Sequence, residues 1–350
     1  MRVSIIIPSR NERFLAQTVA SVLRNSRGDV EVIPVLDGYW PEPYLASNGV
    51  THTIDWNDKR IRALHFGSPV GMRGAISAAS QIATGDYLMK LDAHCDLSEG
   101  FDLVLREGVD RHTVAVPRRY RLDAERWCWT DTNKPPIDYH YLSYPFTSHA
   151  GAGLHGTVWE QRARERKDVL VDEEMSSQGS CWFMQRKHFN QRLYPMEIER
   201  YGNFVQEFQE VGLKTWLGGG RVIINKKAWY AHLHKGKTYG RGYFISKREM
   251  DDGQRAATDF WFYDRWEQRK HDLSWLIERF APVPGWPDNW EELRNADKHK
   301  RRTDQDGGTP GAGSPPGWEE RDDDHLDRAG REVSVPSEAG SAEGGSEEAT

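Results

Sequence analysis

No stretch of the chain approaches the roughly 18 consecutive apolar residues that a membrane-spanning helix requires, which argues against a helical membrane protein. The apolar opening, residues 3–8, is too short for the core of a secretion signal and has no small-residue cleavage site after it. Cysteine is scarce: Cys95, Cys128 and Cys181 are odd in number and far apart. They fit neither a disulfide framework nor a paired-cysteine metal site. A reducing, cytoplasmic setting is the expectation. The basic excess that marks nucleic-acid binding is also missing, since the net charge is −6. No internal repeat is visible, which excludes solenoids and propellers.

What is present suits a soluble enzyme-sized domain. Of the 350 residues, 29% are charged and 37% hydrophobic, enough for a sizeable core. The 14 tryptophans supply large flat surfaces for a core or a ligand pocket. Charge is unevenly spread. Residues 301–350 hold 13 acidic and 5 basic side chains, a net of −8, which leaves the rest of the chain at +2. The same segment holds 9 Gly and 4 Pro and almost no aliphatic side chains. It buries too little apolar area to offset chain entropy. The expectation is a folded region over residues 1–295 and a disordered acidic C-terminal tail over residues 296–350.

Hydrophobic patterning predicts the order of elements. Residues 2–8 read as a buried parallel strand. Phe14, Leu15, Val19, Val22 and Leu23 then recur at helical spacing. Further strands are predicted over residues 30–36, 61–66, 87–91 and 113–116, with helices over 71–83 and 101–111. Strand, helix, strand at this spacing implies βαβ units and a parallel sheet. Ligands of such sheets gather at the carboxyl ends of the strands, where Asp37 and Asp92 both fall. Residues 120–176 show weak periodicity and many aromatics, the pattern of long loops or an insertion. A strand over 177–185, a helix over 202–211 and strands over 222–224 and 228–232 follow. Residues 240–280 are amphipathic and Trp-rich, as helices packing on the sheet would be.

Asp92-Ala93-His94 is the metal candidate. Residues i and i+2 of an extended segment point to one side. A carboxylate with an imidazole suits a borderline divalent ion such as Mn²⁺. Such an ion holds a diphosphate and neutralises its charge as it leaves. The plainer alternative is a strand-end Asp capping a turn beside a partly buried His.

The wider context carries a family resemblance. The opening Ile5-Ile6-Ile7-Pro8-Ser9-Arg10-Asn11-Glu12 and the run from Gly71 to Asp96 resemble the nucleotide-sugar glycosyltransferases of the GT-A fold, the family 2 group in particular. Leu91 to Asp96 resembles more closely the polypeptide N-acetylgalactosaminyltransferases, whose Asp-Ser-His-Cys-Glu motif binds Mn²⁺ through its Asp and His; here Ala93 stands for the Ser. Gly179-Ser180-Cys181-Trp182-Phe183 is similar to that family's donor-lining Gly-Gly-Leu-Phe segment. Glu207-Phe208-Gln209-Glu210 is similar to its Glu-Asn-x-Glu. Ala231-His232-Leu233-His234-Lys235 is similar to its Gly-His-x-x-Arg, whose His is the third metal ligand.

The resemblance implies an α/β, Rossmann-like GT-A fold with a mixed, mainly parallel sheet flanked by helices. Residues 1–120 would be the nucleotide-binding half and residues 121–295 the acceptor side. It implies a UDP-sugar donor, a hexosyl transfer and a Mn²⁺ (or Mg²⁺) ion on Asp92, His94 and His232. The implied donor-binding residues are Pro8, Arg10, Glu12, Asp37, Arg73, Asp92, Gly179, Trp182 and Lys235. Glu207 and Glu210, three apart on a predicted helix, share a face and are the candidates to orient or deprotonate an acceptor hydroxyl. Retention of configuration is favoured over inversion. Each role has a plain counterpart: His232 as a satisfied core histidine, the glutamates as solvated helix residues, Asp37 as a turn residue before Gly38.

Lys235, Lys237 and Arg241 lie in a Gly-punctuated run that reads either as a loop closing on a diphosphate or as a solvated basic turn. Trp127, Trp129, Tyr139, Tyr141, Tyr144 and Trp159 are candidates to stack on an acceptor, with residues 151–156 as a lid or a plain surface loop. A protein Ser/Thr hydroxyl is the first expectation for that acceptor, then a hydroxymethylated DNA base, then a glycan. A non-catalytic nucleotide-sugar binder would show a broken metal set. A phosphoester hydrolase would need a denser Asp/His cluster for two metals.

Overall fold

The Ile- and Val-rich segments build one side of a ten-stranded sheet. The computed structural model describes residues 1–130, 135–146 and 153–306. The first half runs β1 (Val3–Ser9), α1 (Leu15–Asn25), β2 (Val30–Asp37), a small hairpin of β3 (Tyr44–Leu45) and β4 (Thr51–His52), then β5 (Leu64–Phe66), α2 (Gly71–Ile82), β6 (Tyr87–Leu91), β7 (Cys95–Leu97) and α3 (Phe101–Glu107). It continues with β8 (Thr113–Asp123), β9 (Cys128–Thr130), a second hairpin of β10 (His140–Leu142) and β11 (Gly156–Val158), then α4 (Glu160–Glu165), β12 (Val171–Glu173), β13 (Cys181–Gln185), α5 (Arg186–Arg192) and α6 (Ile198–Tyr201). Helix α7 (Glu207–Leu217), β14 (Arg221–His232), α8 (Gly236–Tyr239), α9 (Lys247–Phe262), α10 (Leu273–Phe280) and α11 (Trp290–Asp306) complete it.

The sheet order is β12-β14-β8-β13-β6-β1-β2-β5, with β7 on β14 and β9 on β8. Strands β5, β2, β1 and β6 are mutually parallel. Strand β13 inserts antiparallel between β6 and β8, and β14 runs parallel to β8. This is the mixed, mainly parallel sheet flanked by helices that the family resemblance implies.

Burial on both faces explains why the strands read as continuous apolar runs rather than as alternating ones. In β1, Ile6 faces a core layer shared with α2, α5 and α7, while Ile5 and Ile7 face a second layer shared with α1 and α3. Each fully buried Ile contributes roughly 1.5–3 kcal/mol of transfer free energy, and Ile6→Ala would cost about 2–5 kcal/mol.

Several boundaries differ from the sequence expectation. The two strands expected over 222–224 and 228–232 are one strand, β14, whose register against β8 shifts between Asn225 and Trp229. That irregularity breaks the apolar pattern in sequence but not the strand, which runs on to His232 and pairs it with Cys95. The helix expected over 202–211 starts at Glu207 and reaches Leu217. The described residues of 120–176 include short strands and α4, and Tyr139, Tyr144 and Trp159 are buried in the main core. Their aromatic surface is therefore taken up by packing and not open for an acceptor. Trp129 is exposed, and Trp127 and Tyr141 are half-buried.

The described residues pack as one unit. Helix α11 carries regular structure past residue 295, where the folded region was expected to end. The rest of the expected acidic tail, and residues 151–152 of the expected lid, lie outside the described residues. No helix among the described residues is long and apolar enough to cross a membrane.

Candidate active site

Three strand ends meet at one place. Asp92 follows β6, and its backbone N–H is tied to the Ser180 carbonyl at 2.9 Å. His94 lies in the tight link between β6 and β7. His232 ends β14 beside β7, in register with Cys95. One ligand atom from each of Asp92, His94 and His232 lies within 4.8 Å of the others. The cluster thus sits at the carboxyl edge of the sheet, where α/β folds bind ligands.

The donor set fits a borderline divalent ion: one carboxylate oxygen and two imidazole nitrogens. His232 Nε2 lies 3.2 Å from Asp92 Oδ2, and its Nδ1 is buried without a hydrogen-bond partner. Burial pushes the His232 imidazole down to about 3, outweighing the pull of Asp92. The ring is therefore neutral at pH 7, as a metal ligand must be. Burial would raise the Asp92 carboxyl, but Lys90 and the His232 hydrogen bond hold it far below the usual carboxylate range. His94 Nδ1 donates to Glu12 Oε2 at 3.0 Å, which leaves Nε2 for an ion. A carboxylate behind a histidine fixes the ring and its tautomer.

Glu12, expected at the donor, stands behind His94 and against Lys235, whose Nζ donates to the same Oε2, and also lines the cavity between Trp40 and Trp56. Burial raises this carboxyl, but His94 and Lys235 together outweigh that and lower it. The contact ties Lys235 to the loop that follows β1. Asn11 Nδ2 donates to the Gly242 carbonyl at 2.7 Å, a second tie between the same loops. Arg241 lies over the Phe204 ring at 5.1 Å, and the Lys237 side chain is outside the described residues.

Lys90 links this cluster to helix α7. It is 1% exposed and donates from Nζ to Asp92 Oδ1 at 2.6 Å, to the Gly179 carbonyl at 2.5 Å and to Glu207 Oε2 at 3.0 Å. Trp182, paired with Lys90 across β6 and β13, donates from Nε1 to Glu207 Oε1 at 2.8 Å. Both Glu207 oxygens are thus engaged. Burial raises the Glu207 carboxyl and Lys90 only partly offsets this. At Gly179 a Cβ would lie 2.5 Å from Glu207 Oε2, so a side chain there would displace the carboxylate. Asp92, Gly179, Trp182 and Glu207, expected from sequence as separate motifs, form one hydrogen-bonded unit.

Three expected site residues are occupied elsewhere. Asp37 is buried and accepts from the N–H groups of Val70 at 2.6 Å and Gly71 at 3.1 Å. It caps helix α2 from the end of β2, a long-range version of an N-cap. Arg73 is fully buried, donates to the Val205 carbonyl at 2.7 Å and covers the Tyr201 ring at 4.7 Å. Glu210 is fully buried between Arg73 at 3.5 Å and Lys214 at 2.8 Å. This closed ion network leaves Arg73 and Glu210 no open surface toward a donor or acceptor. Pro8 lies within β1 and Arg10 just beyond its carboxyl end, both half-buried.

Sequence reasoning missed Lys90 and Tyr243. A lone Lys in an apolar strand is the available signal for the first. Burial and the nearby Asp92 carboxylate push the Tyr243 hydroxyl up to about 12. A cavity of about 250 Å³ opens beside Glu12, walled in part by Trp40 and Trp56 at 5.3 Å between ring centroids.

The fold and site define a class: an α/β protein with a one-cation donor set at the carboxyl edge of its sheet. The sequence profile described as "Glycosyl transferase family 2" matches residues 4–193, more than half of the chain. The chain belongs to glycosyl transferase family 2. Among curated proteins it is 25% identical over 253 residues to polypeptide N-acetylgalactosaminyltransferase 4 of Mus musculus, covering 69% of this chain and 41% of that protein. It is 24% identical over 270 residues to polypeptide N-acetylgalactosaminyltransferase 3 of Drosophila melanogaster, covering 74% and 39%. The chain thus spans less than half the length of these relatives. A crystal structure of GalNAc-T7 with UDP, GalNAc and Mn²⁺ superposes with a TM-score of 0.55 at 16% identity, covering 87% of this chain and 56% of that one. That likeness establishes the GT-A fold.

Proposed function

We propose that this chain is a metal-dependent glycosyltransferase that moves a hexosyl group from a UDP-sugar to a hydroxyl, a protein Ser/Thr being the favoured acceptor. The observation that carries the reading is the convergence of Asp92, His94 and His232 within 4.8 Å at the sheet's carboxyl edge. A bound Mn²⁺ (or Mg²⁺) would offset the charge that develops on the departing diphosphate. Lys235, tied to Glu12 beside His94, would meet the same phosphates. The cavity beside Glu12, with flat Trp40 and Trp56 walls, suits a base. Half-buried Gly179 would face the sugar, while Trp182, expected there from sequence, is fully buried and reaches the site only through Glu207. The relatives' names support a protein acceptor.

Glu207 shapes the reaction course in this reading. Its two oxygens are held by Lys90 and Trp182. With both oxygens engaged and the side chain buried, Glu207 has little access to an acceptor hydroxyl, which supports retention over inversion. Three unpaired cysteines, one of them exposed, support a reducing, cytoplasmic setting.

The test is UDP release across a panel of UDP-sugars with Mn²⁺, beside a His94→Ala control. Release with one donor, lost in the control and on chelation, is the expected result. No release from any donor, with unchanged UDP binding in His94→Ala, would overturn the proposal.

A further inference from the structure

The buried Lys90 ammonium is an unusual neighbour for a cation site. It sits within hydrogen-bond distance of Asp92 and of Glu207, and all three side chains share one pocket. Asp92 is the only carboxylate in the three-residue donor set. One of its two oxygens, Oδ1, is spent on Lys90, so only Oδ2, the one facing His232, remains for an ion. Glu207, the second carboxylate nearby, has its charge balanced by the same ammonium. A divalent ion at this site therefore meets one shared carboxylate, two imidazole rings and a buried positive charge behind them.

We propose that Lys90 is a positioning residue that weakens the site's grip on the cation, so that the ion loads with the diphosphate of the donor and leaves with it. This rests on the metal-site reading above. Two effects of Lys90 oppose each other. It holds Asp92 in the orientation that points Oδ2 at His232, which favours binding. It also places a full positive charge beside a divalent ion, which disfavours binding. Charge repulsion between an ammonium and a divalent ion across a buried site outweighs the loss of one orienting charge-assisted hydrogen bond, itself worth about 10- to 100-fold in binding. The net effect of Lys90 is therefore attenuation. The diphosphate then supplies the negative charge that the protein withholds.

The test is calorimetric titration of the folded protein with Mn²⁺ alone and with Mn²⁺ in the presence of UDP, for wild type, Lys90→Met, Glu207→Gln and the double variant. Circular dichroism confirms folding. Lys90→Met is expected to bind Mn²⁺ without UDP about tenfold more tightly or better, and to gain less from UDP than wild type does. Glu207→Gln, which leaves the ammonium to Asp92 alone, is expected to bind more weakly, and the double variant to return near wild type. A purely structural Lys90 would instead weaken binding when removed. Equal or weaker binding by Lys90→Met overturns the inference while leaving the metal site intact. Should Lys90→Met not fold, unchanged or tighter binding by Glu207→Gln overturns it. No Mn²⁺ binding by wild type, with or without UDP, overturns the metal-site reading and this inference together.

Discussion

Helix α7 carries two glutamates three residues apart that resemble each other in sequence and differ in everything around them. Glu207 begins the helix, holds Lys90 and Trp182, and through Lys90 reaches Asp92 at the sheet's carboxyl edge. Glu210 lies fully buried among Arg73, Lys214 and the Glu197 backbone N–H. One network ends at the candidate active site, and the other ties α7 to α2 and to the segment before α6. A shared helix face does not give a shared role. What separates the two is whether the network reaches a strand end where a ligand can enter.

That contrast sets the predictions. The largest effect is expected at the strand ends: Asp92→Asn should abolish Mn²⁺-dependent turnover, by about a thousandfold or more, in a protein that still folds by circular dichroism. Glu12→Gln, one step back from the ion, should weaken Mn²⁺ binding by about 10- to 100-fold, measured by calorimetry. Substitution in the other network should do the reverse. Arg73→Met leaves Glu210 buried with Lys214 alone and should cost about 3 kcal/mol in chemical denaturation, while Mn²⁺ affinity stays within about twofold. If Arg73→Met instead weakened the metal site as Glu12→Gln does, the two networks would not be separate.

A smaller effect is expected at Gly179. Gly179→Ala pushes a methyl group onto Glu207 Oε2. Turnover should fall roughly tenfold and the melting temperature should drop with it, because the displaced carboxylate is the buried partner of Lys90. Steady-state rates beside a melting curve would check this.

The smallest effect is a slope. His188 is buried and donates to or accepts from Thr215 Oγ1 at 2.9 Å. Burial, aided by His112 and Arg192, pushes its imidazole down to about 4. The unfolded chain takes up this proton below its ordinary value near 6.5 while the folded chain does not. Stability from this group is therefore full above about 6.5 and is lost as pH falls toward about 4. His188→Gln should flatten the stability–pH curve in that window by about 1 kcal/mol per pH unit.

The sequence carries the fold through its patterning. Continuous apolar runs at β1, β2 and β6 mark strands buried on both faces, and the strand-end acids Asp37 and Asp92 fall where the pattern puts them. Asp92, His94 and His232 converge because β7 and β14 pair, a contact between residues far apart in sequence that only the family resemblance anticipated. The roles of Glu12, Asp37, Arg73 and Glu210 were not legible. Each carries a charge whose partner lies on another element, and residue type alone cannot tell a buried ion pair from an open ligand site. Lys90 was hidden for the same reason. The aromatics of residues 120–176 suggested an acceptor platform, but burying such side chains stabilises the core more than exposing them, and Tyr139, Tyr144 and Trp159 went inside.

The central claim is that Asp92, His94 and His232 hold a divalent ion that in turn holds a nucleotide diphosphate. Calorimetric titration with UDP, with and without Mn²⁺, on wild type and His232→Ala tests it most directly. The account predicts UDP binding that requires Mn²⁺ in wild type and is lost in His232→Ala. UDP binding of equal strength without Mn²⁺, or undiminished in His232→Ala, would contradict it.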